Sequence, residues 1–191
     1  MLDRGRLEAA IREMLLAIGE DPKREGLVDT PARVVRAYAE MLGGYDDDPQ
    51  ALLKRTFSAE GYDEVIALRD ISFYSMCEHH LLPFSGKVSI AYLPGERVVG
   101  LSKLARLVQV YAKRLQLQER MTAQIAKALM LDLGARGAAV IVRARHLCMG
   151  ARGARQPSAV MLTSSMQGVF RENSSARAEA LSLLGSNDRR D

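Results

Sequence analysis

Cysteine and histidine are scarce in this 191-residue sequence, which has two of the first and three of the second. Two thiols cannot make the disulfide framework of a small secreted domain, so reduced cysteines, open to use as thiolate ligands, are expected. There is no run of eighteen apolar residues, which excludes an ordinary transmembrane helix. The N-terminal stretch MLDRGRLEAAIREMLLAIGE is amphipathic and charged and lacks the unbroken apolar core of a signal peptide. A cytoplasmic location with no membrane partner is the resulting expectation. Nor does charge of one sign dominate: 27 basic and 23 acidic residues interleave to a formal net charge of +4. Without a basic stripe the chain does not look like a dedicated nucleic-acid binder, while a small anionic substrate stays open. Internal repeats and low-complexity segments are absent.

What is present is an ordinary globular composition, 48% hydrophobic and 26% charged, enough to bury a core in one domain with an N-terminal helical appendage. Leu7, Ile11, Met14, Leu15 and Ile18 recur at helical spacing and Gly19 follows as a stop. DTPARVVRAYAEML predicts a second helix with Thr30 as N-cap, Pro31 at its first position and Gly43-Gly44 at its close. These two helices form a hairpin over residues 1–50, and the polar YDDDPQ leads into a main domain over residues 51–191. EVIALRDISFYS reads as a strand that delivers the chain to Cys77. KVSIAYLPGERVVG predicts a hairpin turning at Pro94, Gly95 and Glu96, with Ser102 capping the next helix. Leu104, Leu107, Val108, Tyr111 and Leu115 make that helix's apolar face. A further helix runs from Gln118 to Leu133, burying Met121, Ile125, Ala128 and Leu129, and ends at Gly134. GAAVIVRARHLCMG and SAVMLTSS read as strands, NSSARAEALSLL as a helix capped within Asn173 to Ser175, and the tail GSNDRRD as frayed. Together these elements predict an α+β fold, an antiparallel sheet with helices on one face.

All five Cys and His residues fall in two short pieces, CEHH at 77–80 and HLC at 146–148. In a strand, residues two apart share a face, so His146 and Cys148 are expected side by side. Either piece alone is consistent with a buried thiol acting as a small hydrophobe and an imidazole satisfied by a carbonyl. Both together favour a metal site of two thiolates and an imidazole, a donor set that suits zinc. Three protein ligands leave a fourth position for water, as in a catalytic zinc site.

CEHH, GLSK, QER and HxC occur in that order, with EDPKREGLVDTPARVVRAY upstream and HLCMGARGAR downstream, and from about Leu7 to Leu184 the chain resembles GTP cyclohydrolase I. The resemblance implies the tunnelling fold, a four-stranded antiparallel sheet with helices on one face, in a toroidal homodecamer with active sites between subunits. It implies a cytoplasmic, zinc-dependent hydrolase that converts GTP to 7,8-dihydroneopterin triphosphate and formate, the opening step of folate and pterin biosynthesis. By motif, Cys77, His80 and Cys148 correspond to the Zn2+ ligands. His79 and His146 correspond to proton-transfer groups, one near the ribose ring oxygen and one, as the protonated form, near purine N7 and C8. Ser102 and Lys103 fall where the family contacts ribose and phosphates, and Gln118 and Glu119 where it reads guanine. Arg106, Arg152 and Arg33 match triphosphate positions, Arg33 reaching a neighbouring subunit's site. The implied chemistry is hydrolytic opening of the imidazole ring at C8, a second hydrolysis releasing formate, then ribose opening, an Amadori-type rearrangement and reclosure, with His79 and Ser102 serving that last stage.

The chain departs from the family pattern at Gly150, where a larger residue is expected and whose absence should loosen the loop after Cys148, and at Gln167, where glycine is usual. Away from the resemblance, Ser102 reads as a helix cap, Lys103 and Arg106 as solvated charges, and Glu119 as a favourable partner for a helix dipole. A structural zinc module would need a closed four-ligand site, and the paired CxxC spacings common in such modules are missing. A related tunnelling-fold enzyme, a pterin aldolase or a reductase of a modified guanine, would keep the fold and change the ligand set.

Overall fold

The computed structural model describes residues 2–185, so most of the tail expected to fray lies outside the described residues. Helix α1 (Arg4–Ala17) buries Ile11 and Leu15 and stops at Gly19, whose φ of +86° suits glycine. Met14 and Ile18, expected on the same apolar face, are exposed. α1 packs against α2 (Thr30–Met41) as the predicted hairpin. Asp29, not Thr30, precedes the first helical turn, and its carboxylate pairs with Arg33 at 3.1 Å instead of capping the backbone. Thr30 turns its hydroxyl back to the Gly26 carbonyl.

After a short 3₁₀ turn at Gly43–Tyr45 and helix α3 (Pro49–Leu53) come β1 (Thr56–Ser58), β2 (Ile66–Cys77), β3 (Pro83–Leu93) and β4 (Arg97–Val99). Then follow α4 (Leu101–Ala112), β5 (Leu115–Gln116), α5 (Gln118–Leu131), β6 (Gly137–His146), α6 (Leu147–Gly150), β7 (Met161–Gly168), α7 (Val169–Glu172) and α8 (Ser174–Leu183). The main sheet has the order β5-β2-β3-β6-β7. Its four long strands are antiparallel, and β5 adds a two-residue parallel edge on Met76 and Cys77. This is the expected α+β architecture.

α4 and α5 cover one face of the sheet. Phe73, Phe84, Val88, Ile90, Tyr92, Val140 and Val142 meet Leu104, Leu107, Val108, Met121, Ile125 and Leu129 there in one core. A smaller cluster on the opposite face joins Ala91 and Ala139 to Phe170, Ala180 and Leu184. The C-terminal α8 therefore adds partial cover to the second face, capped as predicted by Asn173, whose side chain accepts from Ser175 and Ala176 N–H.

Four local expectations are corrected. The predicted β3–β4 hairpin does not form, because both edges of β3 are already taken by β2 and β6, and β4 pairs with β1 instead. The true hairpin is β2–β3, which puts CEHH in its turn. Ser102 caps nothing: Gly100 holds the N-cap position in extended conformation and Ser102 sits within the first turn. α4 ends at Ala112, so Leu115 leaves its apolar face for β5, where its N–H meets the Tyr45 hydroxyl at 3.0 Å. β6 ends at His146, and Cys148 lies in α6.

Candidate metal centre and active site

Three structural pieces meet at one end of the sheet: the β2–β3 turn, the end of β6 with α6, and the N-terminus of α5. Alternation along β6 puts His146 on the same side as Val140, Val142 and Ala144, the face that α4 and α5 cover. Cys77 ends β2 on that face too. Its N–H bonds to the Leu82 carbonyl at 2.9 Å, the Leu81 N–H returns to the Cys77 carbonyl at 2.9 Å, and Leu81 takes a left-handed φ of +52°. The turn is thereby closed tightly enough to bring His80 back over Cys77.

Cys77, His80 and Cys148 offer one ligand atom each, all within 4.8 Å of one another. His80 Nδ1 lies 3.9 Å from Cys77 Sγ. The Cys148 thiol is pushed above its ordinary pKa by burial, then by the neighbouring Cys77, with Arg152 opposing. Two thiolates within 4.8 Å of one another repel, and a cation bound between them would offset that repulsion. Two sulfurs and an imidazole nitrogen form a set that fits zinc. The helical turn of α6 changes how Cys148 arrives: it and His146 do not stand side by side on a strand, so Cys148 joins the ligand group while His146 turns elsewhere.

His146 Nε2 lies 2.8 Å from Gln118 Oε1, and its ring stacks on Phe84 with centroids 4.5 Å apart and planes 4° from parallel. Burial lowers its pKa, with the charge of Glu119 opposing. Gln118 is 1% exposed, and its amide nitrogen is held by Val142, Met161 and Thr163. Glu119 is exposed in the first turn of α5. His79, its ring perpendicular to that of His80 at 6.1 Å, is exposed in the turn and stays out of the ligand group. Ser102, Lys103 and Arg106 occupy the first turns of α4, with Ser102 and Arg106 exposed. Arg152 is exposed beyond α6, and Arg33 lies on α2 in its pair with Asp29. At Gly150 a Cβ would meet Pro157 Cα at 3.1 Å, so glycine lets the segment fold back on α6. Gln167 sits on β7 opposite Ala138.

Sequence reasoning missed several supporting groups. Phe84 lay in the same stretch as CEHH, but its place under His146 depends on the cross-strand register Phe84↔His146. Glu78 and Arg120, inside CEHH and QER, form an ion pair that ties the turn to α5, and Arg120 Nε also donates to Gln116 Oε1 at 3.1 Å. The pairing of Thr122 with Thr163 had no signal in sequence.

An antiparallel α+β sheet with a two-sulfur, one-nitrogen donor group at its end defines a protein with a candidate metal centre. The family model for GTP cyclohydrolase I matches residues 7–185. Proteins named GTP cyclohydrolase 1 are 54% identical in Corynebacterium glutamicum (strain ATCC 13032) over 95% of this chain and 93% of the relative. In Rhodopirellula baltica the figures are 54% identity over 96% and 80%, and in Mycobacterium ulcerans 55% over 95% and 91%. The chain belongs to the GTP cyclohydrolase I family of enzymes.

Proposed function

We propose that this chain hydrolyses and rearranges GTP to 7,8-dihydroneopterin triphosphate with release of formate, using Zn2+ held by Cys77, His80 and Cys148. The observation that carries this reading is the convergence of those three ligand atoms within 4.8 Å of one another, at the end of a sheet that also carries His146, Gln118 and Glu119. When bound, zinc supplies a Lewis acid and a water of lowered pKa beside C8 of the guanine ring.

The chain's own residues do the rest. Glu119 accepts from N1–H and the exocyclic amine of guanine, which orients the purine toward the ligand group. His146, in its protonated form, stands at N7 and stabilises the charge that develops as the imidazole ring opens. His79 and Ser102 handle proton movements at the ribose during opening, rearrangement and reclosure. Lys103, Arg106 and Arg152 hold the triphosphate. Arg33, paired with Asp29 in the arm, serves the site of a neighbouring subunit, so the working form is a ring-shaped homodecamer in the cytoplasm, on the path to folates and pterins.

The test is incubation of the purified protein with GTP, followed by ultraviolet absorbance and a parallel formate assay, before and after zinc chelation. A pterin spectrum with equimolar formate, lost on chelation and restored by zinc, is expected. A GTP solution left unchanged by the zinc-loaded protein rules the reading out.

A further inference from the structure

Gln118 is the most constrained polar side chain beside the site. Its Nε2 lies 3.1 Å from the carbonyl oxygens of Val142 and Met161 and from Thr163 Oγ1. Carbonyl oxygens only accept, so the end of the amide facing them is the NH2 group; turned over, its oxygen would oppose two carbonyl oxygens. Oε1 is therefore the end that meets His146 Nε2 at 2.8 Å. Since that oxygen also only accepts, His146 donates: Nε2 carries a proton, and in the ring's neutral form Nδ1 is the nitrogen left bare.

The surrounding hydroxyls agree with this assignment. Thr122 Oγ1 donates to the Gln118 main-chain carbonyl at 2.6 Å. With that proton committed, Thr163 donates across the 2.7 Å contact to Thr122 and is left to accept from Gln118. Phe84, stacked on the imidazole, holds the plane of the ring.

We propose that Gln118, with Thr163 and Thr122 behind it, is a positioning residue that fixes His146 in the Nε2–H tautomer with Nδ1 as the atom for proton exchange, and is not a reader of guanine. Reading the base would require Gln118 to abandon partners at both ends of a buried amide, leaving an imidazole N–H unpaired. The tautomer is independent of the reaction, whereas its catalytic consequence rests on the function proposed above.

Two experiments decide the matter. Nitrogen-15 NMR of the wild-type protein labelled at its three histidines, with the His146 signal assigned by its loss in His146→Ala, reads the tautomer without substrate. Nε2–H is expected, and Nδ1–H overturns the proposal. Kinetics of Gln118→Met are then measured with GTP and with inosine triphosphate, which lacks the exocyclic amine, alongside zinc content. The expected kcat for formate release falls at least tenfold, a part of the ~10²–10⁴-fold that acid–base assistance supplies. KM for GTP stays within twofold, zinc content is normal, and the preference for GTP over inosine triphosphate is unchanged. An unchanged kcat, a tenfold rise in KM with kcat retained, or a collapse of that preference overturns the proposal. Should Gln118→Met not fold, Thr163→Val replaces it: a smaller fall in kcat at constant KM is expected, and an unaltered kcat overturns it. A wild-type protein that releases no formate would defeat the function proposed above while leaving the NMR result to stand on its own.

Discussion

His79 and His80 are adjacent in the chain, yet only His80 turns back to Cys77, with Nδ1 3.9 Å from the sulfur. His80→Ala is expected to lose zinc, and His79→Ala to keep it while failing in turnover. Metal analysis and formate assay on both variants check this, and equal zinc loss in the two contradicts the division of roles. Glu119 offers a sharper contrast. As a base reader it meets N1–H and an amine in guanine, whereas adenine presents an acceptor and no amine, and an unmatched desolvated carboxylate costs about 1–3 kcal/mol or more. Glu119→Ala should therefore lower kcat/KM for GTP by about tenfold or more with zinc content unchanged. If Glu119 served only the helix dipole, the loss would be about 0.3–1 kcal/mol of stability with normal turnover. Because Glu119 is exposed in the single chain, its desolvation has to come with substrate binding. At this scale the grouping of two thiols with an imidazole was legible, since the few Cys and His residues fall in two short pieces, while the choice of His80 came from the family resemblance. Partners set by cross-strand register, such as Phe84 and Thr163, were not.

Among the elements, β2 owes the position of Cys77 to an irregularity. Its register with β3 shifts between Leu68 and Ile71, and Asp70 takes a left-handed φ of +59° with its N–H on Ser89 Oγ at 3.3 Å. With this bulge, Ile66 and Leu68 share the core face of Ile71, Phe73 and Cys77. Without it, alternation would put them on the face of exposed Tyr74, leaving either the ligand or the apolar start of the strand on the wrong side. Asp70→Gly is expected to hold the melting temperature or raise it slightly. Asp70→Val forces a β-branched residue into the left-handed region at about 1–2 kcal/mol, roughly 2–4 °C per kcal/mol for a chain of this size. Thermal unfolding of both variants checks this, and equal melting temperatures contradict it. Helix α5 was readable from its periodic apolar face, α1 from apolar spacing and its stop at Gly19 although Met14 and Ile18 are exposed, and α8 from its cap at Asn173. The β3–β4 hairpin was misread because a Pro-Gly turn marks a change of direction but not which strand has a free edge. Cys148 was given to a strand because the four-residue α6 is too short to leave a period.

For the whole molecule, the arm that carries Arg33 and the exposure of Glu119, Met14 and Ile18 accord with a site completed by other copies of the chain. Light scattering is expected to give a mass several times the 21.0 kDa of one chain, and a fully active monomer contradicts this. The central claim, that the Cys–His–Cys group holds a catalytic and not a structural zinc, meets its most direct test in Cys148→Ser. Zinc content, formate release from GTP and circular dichroism are measured on one preparation beside the wild type. The variant is predicted to have little zinc and no formate release, with secondary structure intact, because the metal is a small part of a core built by α4, α5 and the sheet. Full formate release from Cys148→Ser, or its wholesale unfolding, would contradict the claim.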